Sequence, residues 1–239
     1  MSLELPKPLF PIAGYPIVYH HIEAFAQLDS IREVVLIGFY QPNDAINQLI
    51  YSCQKEFKIQ IRYLQEFTSL GTAGGIYQFR DQLLAGEPDL LFVMNSDVCC
   101  DLPLREMLEF HRQLGSGDRF VMMATEATRQ QSMQYGCIIE STETHEARFP
   151  DYYVLHYVEK PATFVSTLIN CGVYLFTPGI FKFIRIAFLE HQNSLNQDIK
   201  GQCKESVHLE KEIFQPLAGS GTLFVFHTNR FWSQIKFAG

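Results

Sequence analysis

Leu90-Leu91-Phe92-Val93-Met94-Asn95-Ser96-Asp97-Val98-Cys99-Cys100-Asp101 is a run of five apolar residues that breaks abruptly into a polar tip. Bounded by Pro88 and Pro103, it is expected to form a strand buried on both faces, with the tip at the strand's carboxyl end. In an open parallel α/β sheet, ligands bind outside those ends, so Asn95, Ser96 and Asp97 are candidates to face a ligand. A carboxylate at this point either coordinates Mg²⁺ or caps a helix that follows, and the local pattern leaves both open.

The neighbouring segments alternate between strand and helix patterns. Upstream, Val18, His21, Ile22, Phe25 and Leu28 recur at helical spacing after Pro16. A buried strand is expected at 33–39, a helix at 42–56 and a short strand at 59–65. The loop Leu70-Gly71-Thr72-Ala73-Gly74-Gly75 then opens a helix bearing Ile76, Phe79 and Leu83. Downstream, 103–114 reads as a helix. This β-α order implies a mostly parallel sheet with helices on both faces. The second half is richer in strands, expected at 120–124, 136–140, 154–160, 168–176 and 223–227. Helices are expected at 178–189 and 209–217, and the polar stretch 191–206 reads as a loop.

With 239 residues, 47% hydrophobic and 19% charged, the chain has the composition of one sizeable globular domain. Its net charge of −7 and its lack of a basic cluster argue against nucleic acid and anionic membranes as partners. The six cysteines form no Cys-x-x-Cys pair and no zinc-type spacing, so they read as small buried apolar residues. No stretch approaches the roughly 20 apolar residues of a membrane span, and no leader pattern opens the chain. A cytoplasmic location is expected.

Several motifs carry possible chemistry. The glycine-rich loop at Gly71 and Thr72 is either a phosphate- or ring-binding turn, or a turn that needs glycine for its own backbone angles. Glu66, before it, is a carboxylate able to accept the paired N–H groups of a guanine edge, or a solvated loop charge. In Val158-Glu159-Lys160-Pro161, Lys160 would hold a phosphate as a point charge and Glu159 would accept sugar hydroxyls, unless the two are only a surface pair. Lys7, between Pro6 and Pro8, is a stiffly presented cation. Gly136 and Asn170 would let a hydroxyl-rich ligand approach, although Gly136 and Gly172 could equally mark a bulge or bend.

Taken in order, Pro6-Lys7-Pro8-Leu9, the Gly71-Thr72 loop, Asn95-Ser96-Asp97-Val98, Tyr135-Gly136, Val158-Glu159-Lys160-Pro161, Asn170-Cys171-Gly172 and Phe231-Trp232-Ser233-Gln234-Ile235 resemble the sugar-1-phosphate nucleotidyltransferases. Among these the chain is most similar to the mannose-1-phosphate guanylyltransferases. Leu36–Pro42, Tyr63–Phe67 and Trp232–Lys236 are more like the regulatory alpha subunit than the catalytic beta subunit. The resemblance implies an α/β, Rossmann-like nucleotide-diphospho-sugar transferase fold, with a nucleotide-binding half at about 1–115 and a sugar-binding half at about 116–239. It also implies ligands: GTP and mannose 1-phosphate, or GDP-mannose. By that likeness Gly71, Thr72, Glu66 and Asn95 fall at the nucleotide. Asp97 falls at a Mg²⁺ ligand and Lys7 at the triphosphate. Lys160, Glu159, Gly136 and Asn170 fall around the sugar and its phosphate.

Three departures from the family pattern shape the functional expectation. Catalytic members open with a strand and a Gly-Gly-x-Gly-Thr-Arg type loop, and this chain begins after that point, so the domain is expected to be incomplete there. They also carry Trp-x-Asp-x-Gly near the domain's end, whose Asp is a second metal ligand, where this chain has the neutral Gln234. Residues 147–153 look like an insertion, and the left-handed β-helix that follows in relatives of this subtype is expected to be missing. A regulatory subunit that binds GDP-mannose and modulates a catalytic beta subunit is therefore expected. The alternatives are an active guanylyltransferase, with Lys7, Asp97 and Lys160 as catalytic residues, and an inert fragment.

Overall fold

The computed structural model describes residues 6–141, 152–197 and 206–235, with the backbone alone for 191–197. After a 3-10 turn at Lys7–Leu9 come strands β1 (Pro11–Ile12) and β2 (Tyr15–Pro16), helix α1 (Ile17–Ala26), strand β3 (Glu33–Gly38), helix α2 (Asp44–Phe57) and strand β4 (Gln60–Gln65). The chain continues through α3 (Thr72–Gln78), α4 (Arg80–Leu83), β5 (Leu91–Met94), β6 (Val98–Cys100) and α5 (Leu104–Gln113). Next are β7 (Phe120–Glu126), α6 (Arg129–Ser132), β8 (Gly136–Glu140), β9 (Val154–Glu159), β10 (Leu168–Phe176) and α7 (Ile180–Gln197). A π-helical turn at Leu209–Phe214, α8 (Gln215–Leu217), β11 (Leu223–His227) and β12 (Trp232–Gln234) complete the described elements.

These elements group into two compact units, and their boundaries differ from the single division near 115 expected from the sequence. Unit 1 draws on residues 1–68, 94–106 and 230–239, and unit 2 on 69–93 and 107–229. Residues 69–93 thus belong with the later strands, and the stretch from Arg230 belongs with the opening ones.

In unit 1, β3 and β4 run parallel with Glu33 opposite Gln60 and Gly38 opposite Gln65. The apolar stripe of α1 closes one small core, in which Val18, Tyr19 and Ile22 meet Cys53, Ile59 and Ile61. Asn43 fixes the start of α2 by accepting a hydrogen bond from the Ile46 amide at 3.0 Å, and Lys58 ends the helix in the left-handed region at φ 54°. Arg62 and Glu33, diagonal neighbours across the two strands, form a paired ion contact with Nη2 to Oε2 at 2.7 Å. β12 runs antiparallel to β6, with Trp232 opposite Cys100 and Gln234 opposite Val98.

Unit 2 holds the larger core, built on a mixed sheet ordered β11-β7-β10-β8-β9, with β5 pairing to β10. All nine residues of β10 are buried, as its apolar sequence requires. β11 joins β7 in parallel; β7–β10, β10–β8 and β8–β9 are antiparallel. The α/β class expected from the sequence is observed, but the sheet is mixed, with antiparallel pairs among the later strands.

Local expectations also change. The run 90–101 is two strands, and each residue of β5 is half-buried where burial on both faces was expected. β6 follows Asp97, so there is no helix start for Asp97 to cap. The stretch 191–206 is expected from the sequence to be a loop, yet α7 continues to Gln197, since neither Gly nor Pro interrupts it. Residues 198–205, and 147–151 of the expected insertion, lie outside the described residues.

Candidate functional site

The expected site residues divide between the units. Lys7, Glu66, Asn95 and Asp97 belong to unit 1, together with Gln234. Gly71, Thr72, Gly136, Glu159, Lys160 and Asn170 belong to unit 2.

In unit 1, Asn95 to Asp97 form the turn between β5 and β6, closed by the Val98 amide donating to the Asn95 carbonyl at 3.3 Å. The β6–β12 pair then brings Gln234 alongside. Its Nε2 donates to both oxygens of the Asp97 carboxylate, at 3.0 and 3.1 Å, while the Ile235 amide donates to the Asp97 carbonyl at 2.9 Å. An amide nitrogen thus sits between the two carboxylate oxygens, where a divalent cation would have to sit to be chelated. Among the described residues no group of three or more His, Cys, Asp or Glu side chains could hold a metal ion. The residues around Asp97 therefore fit Mg²⁺ poorly: one carboxylate is present, and the side chain beside it is a neutral amide that brings no second negative charge.

His21 adjoins this turn. Its Nε2 lies 2.6 Å from the Val98 carbonyl oxygen, and burial lowers its pKa, so the ring is held neutral and donates. Glu66 follows β4, and its amide donates to the Gly38 carbonyl at 2.8 Å. That places it at the carboxyl ends of the two parallel strands, as the sequence suggests. Lys7 lies in the 3-10 turn between its two prolines.

In unit 2 the glycine-rich loop is clasped by its own chain. The Val207 amide donates to the Leu70 carbonyl at 2.8 Å, and the Val207 carbonyl accepts from the Ala73 and Gly74 amides at 3.0 and 3.1 Å. A β-carbon on Gly71 would lie 2.5 Å from the Val207 oxygen, and its φ is +82°. Both facts require glycine there, without reference to a ligand. The Thr72 hydroxyl accepts from the Leu209 amide at 2.8 Å and donates to Glu210 Oε2 at 2.9 Å.

The remaining four residues meet around two buried tyrosines that the sequence pattern hides inside apolar strands. Tyr157 donates to Glu159 Oε2 at 2.8 Å. Asn170 spends its amide hydrogens on the Tyr157 and Tyr174 hydroxyls, at 3.1 and 2.9 Å, and its oxygen accepts from the Gly172 amide at 2.8 Å. That last bond secures a bulge in β10, where the register to β7 shifts between Asn170 and Tyr174 and Gly172 has φ +73°. A β-carbon on Gly136 would collide with the Tyr157 hydroxyl and approach Glu159 Oε2 at 2.9 Å. Lys160 pairs with Glu159 Oε1 at 3.4 Å from the left-handed region, φ 45°, a conformation in which a non-glycine residue is strained. Its amine is well exposed, whereas the Glu159 side chain is only 14% exposed. The result is a cation in solvent held over a sheltered acid, suited to a phosphate next to hydroxyls.

A family model for nucleotidyl transferases matches residues 1–223. The chain belongs to the nucleotidyl transferase family. It is 57% identical, over all of its length, to a mannose-1-phosphate guanylyltransferase regulatory subunit alpha-B of Danio rerio, and 49% identical to the regulatory subunit alpha of Homo sapiens. In both cases it spans 56% of the relative's length. Among solved structures, HddC from Yersinia pseudotuberculosis superposes with a TM-score of 0.68 at 19% identity, over all of this chain and 88% of that one. The likeness shows the fold. No helix among the described residues is long and apolar enough to cross a membrane.

Proposed function

We propose that this nucleotidyl transferase domain binds GDP-mannose without making it, and reports its level to a catalytic mannose-1-phosphate guanylyltransferase in the cytoplasm. The observation that carries this reading is the Gln234 amide on both oxygens of Asp97. In-line attack of a sugar phosphate on a nucleoside triphosphate is driven mainly by positioning and charge neutralisation. A carboxylate engaged by a neutral amide supplies no cation for that purpose. Binding a finished nucleotide sugar requires less: in unit 2, Lys160 is suited to a phosphate and Glu159 to sugar hydroxyls.

Relatives named as regulatory alpha subunits of the guanylyltransferase support the same reading. The test is an assay of the chain with GTP, mannose 1-phosphate and Mg²⁺. Pyrophosphate should stay at the background level while GDP-mannose binds in a calorimeter. Sustained pyrophosphate release would show an active guanylyltransferase instead, and no binding heat would leave an inert fragment.

A further inference from the structure

The interior of unit 2 contains more polar chemistry than its packing needs. The Tyr174 ring is stacked on Phe176 at 5.6 Å and tilted against Phe214 at 4.9 Å, and Tyr157 meets Phe214 edge-on at 5.8 Å. Phenylalanine at either position would fill the same space and spare the burial of a hydroxyl, which costs free energy unless it is hydrogen-bonded. Both hydroxyls are bonded, and the directions of the bonds are informative. Asn170 donates to each, so each phenol keeps its own hydrogen free to give. Tyr157 gives its hydrogen to Glu159. The Tyr174 ring lies on Phe214, at the end of the same π-helical turn whose start, Leu209 and Glu210, is bonded to the Thr72 hydroxyl. An Asp in place of Asn170 could not serve, because an ionised carboxylate has no hydrogens to give the two phenols.

We propose that Tyr157, Asn170, Tyr174 and Glu210 are positioning residues for nucleotide-sugar binding, joining the hydroxyl-accepting Glu159 to the Gly71–Thr72 loop through one buried network. The proposal rests on the reading of the chain as a nucleotide-sugar binder and adds a consequence: the sugar end and the loop end are energetically coupled. Neither Tyr157 nor Tyr174 touches the ligand. Tyr157 acts by fixing the acid to which its hydroxyl donates, Tyr174 by holding Asn170 and the turn that its ring packs on, and Gly136 is glycine because Tyr157 and Glu159 leave no room for a β-carbon.

Calorimetry of GDP and GDP-mannose on the 239-residue chain tests the coupling. Tyr157→Phe, which keeps the ring, should weaken GDP-mannose about tenfold, the value of one lost hydrogen bond to a charged acceptor, and leave GDP unchanged. Thr72→Val should weaken both ligands, and Thr72→Ser should restore them. In the double variant the loss for GDP-mannose should differ from the product of the single losses by about threefold or more. Should Thr72→Val fail to fold, Glu210→Gln, which keeps an acceptor for Thr72, takes its place in the cycle. Multiplicative losses, or a Tyr157→Phe chain that weakens GDP and GDP-mannose alike, would overturn the network while leaving the ligand reading intact. A wild-type chain that binds neither ligand would overturn both.

Discussion

Replacing Gln234 by Asp would set a second carboxylate against Asp97 and convert an amide lock into a charge pair. Two contributions add. The Gln234 bonds to Asp97, at 3.0 and 3.1 Å, are charge-assisted, and losing them should cost about 1.5–3 kcal/mol. Two carboxylates about 5 Å apart repel by about 3 kcal/mol at an effective dielectric constant of about 20. Both side chains are only half-buried, so solvent screening reduces the sum to about 3 kcal/mol. For a chain of this size that corresponds to a fall in Tm of about 6–12 °C. The assay is thermal unfolding followed by circular dichroism, in EDTA and in millimolar Mg²⁺. The variant should melt lower in EDTA and regain most of the loss in Mg²⁺, because two carboxylates now face a cation-sized space. Wild-type protein should melt at the same temperature in both buffers. A wild-type Tm that rises with Mg²⁺, or a Gln234→Asp chain indifferent to it, would refute the reasoning.

Other perturbations follow from the same contacts. Gly71→Ala should destabilise the chain by about 2–4 kcal/mol in urea titrations, since the new carbon would meet the Val207 carbonyl at a positive φ. His21 has a lowered pKa, so its contribution to stability is present above the ordinary value of 6.5 and is lost as pH falls through the folded value. Comparing wild type with His21→Gln by urea unfolding across that range should show the extra acid sensitivity only in wild type. Glu210 is shifted the other way: burial raises its pKa, so its contribution is fully present below 4.5 and is lost as pH rises through the folded value. Measured the same way, the stability of Glu210→Gln relative to wild type should therefore improve as pH rises from 4.5 towards neutrality.

Much of the fold is legible in local sequence. The apolar spacing of Val18, Ile22 and Phe25 marks α1, and the unbroken apolar run Leu168–Phe176 marks the most buried strand, because periodicity and burial are properties of neighbouring residues. Pairing is not local. That Gln234 faces Asp97 depends on an antiparallel match across 137 residues, which no spacing encodes. Tyr157 and Tyr174 escape notice for a related reason: a tyrosine in an apolar strand reads as one more core residue until the partner of its hydroxyl is known. The motif residues were legible as positions but less so as roles. Gly71, Gly136 and Asn170 stand out in sequence, yet the structure shows each one meeting the chain's own carbonyls and phenols. Lys160 gives no sequence sign of its left-handed backbone.

The most direct test of the central claim is calorimetric titration of GDP-mannose into the wild-type chain in EDTA and again in Mg²⁺. The amide-locked Asp97 leads to binding of equal strength in the two buffers, since the carboxylate already has its partner. Binding that appears only with Mg²⁺ would contradict it, because a cation would then have to displace Gln234 from Asp97 for the ligand to be held.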